Sequence, residues 1–267
     1  MSWADRVVFV LVEPQHPGNV GAAARAMKNM GLHRLVLVAP PAYDPEQARW
    51  MAPGCDDLLA RIRIAADLDE ALQGVHRVIA STARHRKLGQ PVRDLKQAAD
   101  AMLDDPDITT AVLFGREDHG LSSAHVERCE AILRIGTPQH ASLNLGQAVL
   151  LVAHALFEGS LARGATATGR ALGGRAERTT AAVQRGDERD QLADTSEMEP
   201  VVSDLVTLLD RVGYTRGAPN TRVAVTARQA LQRATVSRRH VHALRGMVAR
   251  LQWALDHPGL DWTAPRK

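Results

Sequence analysis

Val7 to Val12 form an unbroken apolar run that stops at Glu13-Pro14, and further runs follow at 34–38, 75–80, 109–115 and 131–135. None of them alternates apolar with polar residues. Each must therefore be covered on both sides, as the strands of a buried parallel sheet are. Between the runs, helical spacing occupies 20–30, 67–73, 95–103 and 143–161, with a weaker candidate at 54–60. Strand and helix in alternation predict an α/β fold across residues 1–160, a parallel sheet with helices on both faces.

Residues 161–200 break that rhythm. Glycines at 159, 164, 169, 173, 174 and 186 stand among Thr, Ala and scattered charge. So few large apolar residues bury too little surface to offset the entropy of ordering, and the segment reads as a flexible linker. In 201–267, Val201, Leu205, Leu208, Leu209 and Val212 follow helical spacing up to Gly213, and two more helical stretches cover 223–234 and 236–255. Three helices make too small a core to stand alone, which predicts a helical C-terminal domain docked on another body.

Charge divides the chain the same way. Residues 1–158 hold 16 Lys/Arg against 19 Asp/Glu, whereas 201–267 hold 11 against 4. Arg211, Arg216, Arg222, Arg228, Arg233, Arg238, Arg239, Arg245 and Arg250 recur through that tail, either as a phosphate-attracting field or as a solvated helix face. With Phe, Trp and Tyr at 3%, base stacking offers no way to choose between them. Cys55 and Cys129 form no CxxC pair, so neither a disulfide framework nor a metal site is expected. No apolar run reaches about 18 residues and no cleavage site follows the first strand, which leads us to expect a cytoplasmic protein without membrane contact.

The chain lacks GxGxxG, GxxxxGK[ST], HExxH and GxSxG, which removes dinucleotide, P-loop, zincin and esterase chemistry from view. Three other segments stand at turns between strand and helix. In Asn19-Val20-Gly21-Ala22-Ala23-Ala24-Arg25, Asn19 is placed to cap a helix, the small residues permit close backbone approach, and Arg25 sits two turns further on. Leu113-Phe114-Gly115-Arg116-Glu117-Asp118-His119-Gly120-Leu121-Ser122 leaves a buried strand through two glycines, where open α/β sheets bind ligands. In Pro138-Gln139-His140-Ala141-Ser142-Leu143-Asn144-Leu145-Gly146-Gln147-Ala148-Val149, Ser142 is placed to cap the long helix that follows. Taken singly, each reads more readily as an ordinary turn or cap.

In this order, N-x-G-x-x-x-R, L-F-G-R-E-x-x-G-L-S and P-x-x-x-S-L-N-L-x-Q-A-V resemble the SPOUT superfamily of RNA methyltransferases, and within it the TrmH/TrmJ branch of ribose 2'-O-methyltransferases. The resemblance covers 6–158, including Ile79-Ala80-Ser81-Thr82-Ala83-Arg84, which looks like that family's Gly-Thr-Ser-Ala-Arg loop. It extends more loosely over 201–255, where Leu244-Arg245-Gly246 matches a helical extension. Ala80 stands where many relatives have Gly, and Gly146 where Ser or Ala is usual. The resemblance implies a C-terminal trefoil knot, which periodicity cannot show because knots are exceptions to the connection rules. It also implies a homodimer paired through the knot region, and S-adenosyl-L-methionine held by Ser81, Thr82, Ala83, Gly115, Gly120, Ile135, Ser142, Leu143 and Asn144.

The implied reaction is 2'-O-methylation of tRNA at an anticodon-loop pyrimidine, position 32. Arg25, Asn19 and Glu117 would be the catalytic residues, and Arg84, Arg86 and Arg245 would contact RNA. Ribosomal RNA as substrate, or an RNA-binding knot protein without turnover, are the alternatives. A guanidinium stays protonated and has no acceptor lone pair, so Arg25 is expected to anchor phosphate and stabilise the developing oxyanion rather than serve as a base. Glu117 is expected to buttress the loop or orient Asn19 or Arg25, with Asn144 in a similar supporting role.

Overall fold

The computed structural model describes residues 2–41, 43–84, 90–137, 143–164, 190–214 and 221–257. Arg86, Ser142 and most of the expected linker lie outside them. A seven-stranded parallel sheet organises residues up to 162. Its strands are β1 (Val7–Val12), β2 (Leu35–Val38), β3 (Arg63–Ala65), β4 (Arg77–Ser81), β5 (Val92–Arg93), β6 (Thr110–Phe114) and β7 (Ala131–Leu133), in the spatial order β3-β2-β1-β6-β4-β7-β5. The five apolar runs became β1, β2, β4, β6 and β7. The remaining two, β3 and β5, carry no apolar run because they pair on one side only and keep Ile64 and Val92 exposed.

Alternate residues along each strand feed two apolar layers. Phe9, Leu11, Leu37, Ile79, Val112 and Leu133 pack beneath α1 (Pro17–Asn29), α2 (Pro45–Trp50), α3 (Asp56–Leu59), α5 (Leu95–Leu103) and α7 (Leu145–Ala162). Val8, Val10, Val36, Val78, Leu113 and Ile132 face α4 (Leu68–Ala71) and α6 (Ser123–Glu127). Burial on both faces is what the unalternated strands require. The ring of Phe9 stacks on Phe114 at 5.5 Å between centroids, tying β1 to β6 inside the first layer.

Two caps differ from expectation. Helix α7 is capped by Asn144, whose Oδ1 accepts from the Gly146 N–H at 2.9 Å; the expected cap, Ser142, lies outside the described residues. Helix α1 starts at Pro17 with His16 before it, because proline suits the first helical turn, and Asn19 falls inside that turn with its side chain free to reach elsewhere. Gly146 has a packing role: a Cβ there would come within 2.8 Å of the Ala22 Cβ where α7 crosses α1. By length and apolar composition α7 would also suit a membrane span, yet here it packs on α1 and α5 and buries Val149, Val152, Ala153 and Leu156.

The C-terminal part forms three helices, α8 (Thr195–Arg211), α9 (Thr221–Ala234) and α10 (Arg238–Asp256). Helix α8 begins ahead of Pro200, because Asp194 and Glu197 form a reciprocal capping box that outweighs the proline as a start signal. Its small core is Ala193, Met198, Val201 and Val241. The unit docks on the sheet domain beside α4 and α6. Thr195 N–H donates to the Val75 carbonyl at 2.8 Å, and Gly74 N–H donates to Asp194. Arg228 holds Glu199 through Nε and Nη2 at 2.8 and 2.6 Å while its Nη1 donates to the Glu127 carbonyl at the end of α6.

Candidate functional site

Strands β6, β4 and β7 are neighbours, and Ser81, Phe114 and Leu133 stand in register at their carboxyl ends. The loops that leave those three strands therefore emerge side by side. Together with the start of α7 they form a cavity of about 370 Å³, lined by the polar Ser81, Thr82, Arg84 and Glu117 and by the apolar Phe114, Ile135, Leu143, Leu145 and Ala148. Of the residues expected to hold a cofactor, Ser81, Thr82, Ala83, Gly115, Gly120, Ile135 and Leu143 line this one cavity. Asn144 is not in its lining, and Ser142 lies outside the described residues.

Gly115 is required by close approach. A Cβ there would meet the Gly120 carbonyl carbon and the Leu121 nitrogen at 2.1 Å. Arg116 and Gly120 close the turn with a backbone bridge, and Gly120 takes φ of +66°, a region that glycine enters without strain. The turn thus folds back on itself and leaves backbone groups on the cavity wall.

Glu117 sits beneath that wall as a hub of hydrogen bonds. Its Oε2 accepts from the Gln15 N–H at 2.9 Å, and its Oε1 accepts from the Asn19 amide at 2.9 Å and the His16 N–H at 3.3 Å. Asn19 in turn accepts from the Asn144 Nδ2 at 3.1 Å. Burial pushes the Glu117 carboxyl upward, but the bonds from Gln15, Asn19 and the backbone prevail and hold it below the usual carboxylate range. Glu117 is therefore an ionised acceptor that joins the β1–α1 loop, the glycine turn and the cap of α7.

Arg25 projects from α1 into solvent, with no hydrogen bond or ion pair to it among the described residues, and it does not line the cavity of its own chain. Arg84 is exposed at the cavity mouth. Arg245 lies on α10 beside Asp204 at 3.7 Å, far along the chain from the cavity. The basic tail is also less free than its composition suggests: Arg211 pairs with Asp256, Arg228 with Glu199, Arg238 with Glu197 and Arg239 with Asp190.

The sequence reading did not assign Arg116, Asp118 and His119, although they stand inside the motif it quoted. Arg116 Nε and Nη2 clamp Asp118 at 3.1 and 3.0 Å, while Nη1 reaches Glu13 at 3.2 Å. The guanidinium holds the Asp118 carboxyl well below its usual range. Glu13 adopts φ of +50°, an uncommon conformation for a residue with a side chain, at the end of β1. Only the run of four charged or titratable residues between two glycines signalled such a cluster in advance.

S-adenosyl-L-methionine suits this cavity in kind. The apolar lining residues match a purine, the folded-back glycine turn admits close backbone contact, and the hydroxyls and carboxylates of the lining match a charged amino-acid moiety.

Residues 6–154 match the model of the SpoU rRNA methylase family. Over 94% of its length the chain is 32% identical to the tRNA (cytidine/uridine-2'-O-)-methyltransferase TrmJ of Photorhabdus laumondii, of which it covers 98%. Against the tRNA (cytidine/uridine/adenosine-2'-O-)-methyltransferase TrmJ of Pseudomonas aeruginosa the identity is 40% over 153 residues, 56% of this chain and 60% of that protein. Among solved structures, TrmJ from Z. mobilis ZM4 superposes with a TM-score of 0.71 at 29% identity, covering 92% of this chain and 98% of that one. A probable methyltransferase of Bordetella pertussis Tohama I superposes with a TM-score of 0.51 at 40% identity, covering 58% of this chain and 98% of its own. The chain belongs to the SpoU rRNA methylase family.

Proposed function

We propose that the chain methylates the ribose 2'-hydroxyl of tRNA, using S-adenosyl-L-methionine, at the pyrimidine in anticodon-loop position 32. The observation that carries this reading is the convergence of three loops, separated by up to about sixty residues, on one cavity at the ends of β4, β6 and β7. The relatives matched over nearly the whole chain are tRNA 2'-O-methyltransferases, which favours tRNA over ribosomal RNA.

Bound in the cavity, the donor supplies an electrophilic methyl group on a sulfonium. Ser81, Thr82, Ala83, Gly115, Gly120, Ile135, Ser142 and Leu143 would hold it there, supplying the positioning that the transfer demands. Asn144 would act from behind, through the cap of α7 and Asn19. Glu117 keeps the glycine turn and the first turn of α1 in one fixed arrangement.

Arg25 would act across a homodimer, reaching the cavity of the partner subunit, where its fork would grip the target phosphate and stabilise the oxyanion that develops. Its exposure, with no hydrogen bond or ion pair to it among the described residues, supports that role. The dimer would pair through a knotted C-terminal third of the sheet domain, and Arg84, Arg86 and Arg245 would contact the RNA backbone. Such an enzyme would work in the cytoplasm, where tRNA matures.

Mapping of ribose methylation on unmodified tRNA transcripts, incubated with protein and donor, tests the reading. One new methyl on the ribose at position 32 is the expected result. A methyl on a base, or none on any tRNA or ribosomal RNA, would overturn it. Mixing inactive Arg25→Ala and Gly115→Val subunits checks the dimer claim, since action in trans predicts recovered activity in the mixed dimer.

A further inference from the structure

A second cavity, of about 430 Å³, lies on the other side of the glycine turn, lined by Val12, Glu13, Ser122, Ser123 and His125. It shares Arg84, Arg116, His119 and Gly120 with the first. A group that approaches the first cavity from the second thus passes the His119 imidazole.

Transfer to a hydroxyl needs an acceptor for its proton, and the titratable groups around this wall can be sorted by what they already do. Glu117 has both oxygens engaged by hydrogen-bond donors. Asp118 is clamped by Arg116, whose third nitrogen is tied to Glu13. Arg84 and Arg116 are guanidiniums, which donate only. His125 Nδ1 accepts from the Ser122 N–H in the capping box of α6. His119 differs from all of these. Its Nδ1 lies 2.8 Å from Asp118 Oδ2, and an ionised carboxylate can only accept, so Nδ1 carries the hydrogen and the neutral imidazole has its lone pair on Nε2. No hydrogen bond to Nε2 occurs among the described residues.

We propose that His119, oriented by Asp118, is the catalytic proton acceptor for the attacking ribose hydroxyl. This rests on the methyl-transfer reading above and names the group that reading leaves open. As the 2'-oxygen bonds to the methyl carbon, the carbon–sulfur bond breaks and its electron pair goes to sulfur, leaving a neutral thioether. The hydroxyl proton passes to Nε2. The resulting imidazolium is balanced by the Asp118 carboxylate, which Arg116 fixes in place. With 74% of its side chain exposed, His119 then returns the proton to water.

The test is single-turnover methylation of unmodified tRNA by the full-length protein between pH 5.5 and 9, comparing wild type with His119→Gln and Asp118→Asn. For wild type the rate should fall at low pH as the acceptor is protonated. His119→Gln should slow transfer by about 100-fold or more and abolish that acidic limb, with S-adenosylhomocysteine and tRNA affinities within about twofold of wild type. Asp118→Asn should lose less, about tenfold, because Nε2 survives while its orienting partner is weakened. A His119→Gln rate within about threefold of wild type, with the acidic limb intact, would overturn the proposal and leave the methyltransferase reading standing. Absence of transfer by the wild type on every RNA would instead overturn that reading, and the role of His119 with it. Because His119 sits on an exposed turn, the variant should fold, and the binding titrations verify that it has.

Discussion

The sheet domain and the helical extension are held together by different physics. In the sheet domain, strands β1, β2, β6 and β7 are buried along their whole length between two apolar layers, and the loops at their ends are positioned by that rigid frame. In the extension, the core is a handful of residues around Met198 and Val241, and Met247, Leu251 and Leu255 remain exposed. Ion pairs carry much of the rest, and several of its arginines neutralise acids of the same chain. The contrast teaches that net charge along a sequence overstates the charge available to a partner.

Cutting the deeper core should therefore have the largest effect. Phe9→Ala removes a ring stacked on Phe114 in the fully buried layer and should cost about 3–5 kcal/mol of unfolding free energy. Leu255→Ala in the extension, at an exposed position, should stay within about 0.5 kcal/mol. Chemical denaturation of both variants measures the difference, and similar losses would erase the distinction between the two bodies.

Next comes Arg25. Arg25→Lys keeps the charge and discards the two-pronged geometry, so the methylation rate should drop at least about 100-fold, near 3 kcal/mol of barrier, with cofactor affinity little changed. Near-normal turnover would remove the bidentate role.

Arg228→Ala attacks the seam between the bodies. It leaves Glu199 only its longer pair with Arg128 at 3.6 Å and frees the Glu127 carbonyl at the end of α6, which should cost about 1–3 kcal/mol and loosen the extension in hydrogen exchange around α8 and α9. Unchanged exchange would mean that the seam is held elsewhere, at Thr195 and Gly74.

Truncation after residue 164 should leave a folded sheet domain, because its two apolar layers take no residue from the extension. Affinity for tRNA should weaken and its salt dependence flatten, by less than the nine phosphate contacts that the arginine count would allow. An identical salt slope for both forms would reject an RNA role for the extension.

The smallest effect concerns His76. Burial pushes its pKa down, with Thr109 N–H donating to its Nδ1. The unfolded chain takes up the proton first, near pH 6.5, so stability is full above that value and declines as pH falls toward the lower folded pKa. His76→Gln should flatten the pH dependence of thermal unfolding in that window.

Much of the frame was legible because long apolar runs leave few alternatives. Val7 to Val12 and 109–115 could only be buried strands, and residues 95–103 matched α5 to the residue. Pairing on an edge leaves no such mark, which is why Arg63–Ala65 and Val92–Arg93 were missed. Cap positions are hard to read where several capping residues stand close together: Asn144 caps α7, and His16-Pro17 opens α1 ahead of Asn19. Within the candidate site, the motif located the loops, but the pairing of Arg116 with Glu13 joins residues about a hundred apart, which only the fold brings together.

The central claim is that the cavity at the ends of β4, β6 and β7 holds the methyl donor, and calorimetric titration with S-adenosylhomocysteine tests it most directly. Wild-type protein should bind saturably, one molecule per subunit, and Gly115→Val should lose binding because its side chain would collide with the Gly120–Leu121 backbone. Equal binding by the two proteins, or none by the wild type, would contradict it.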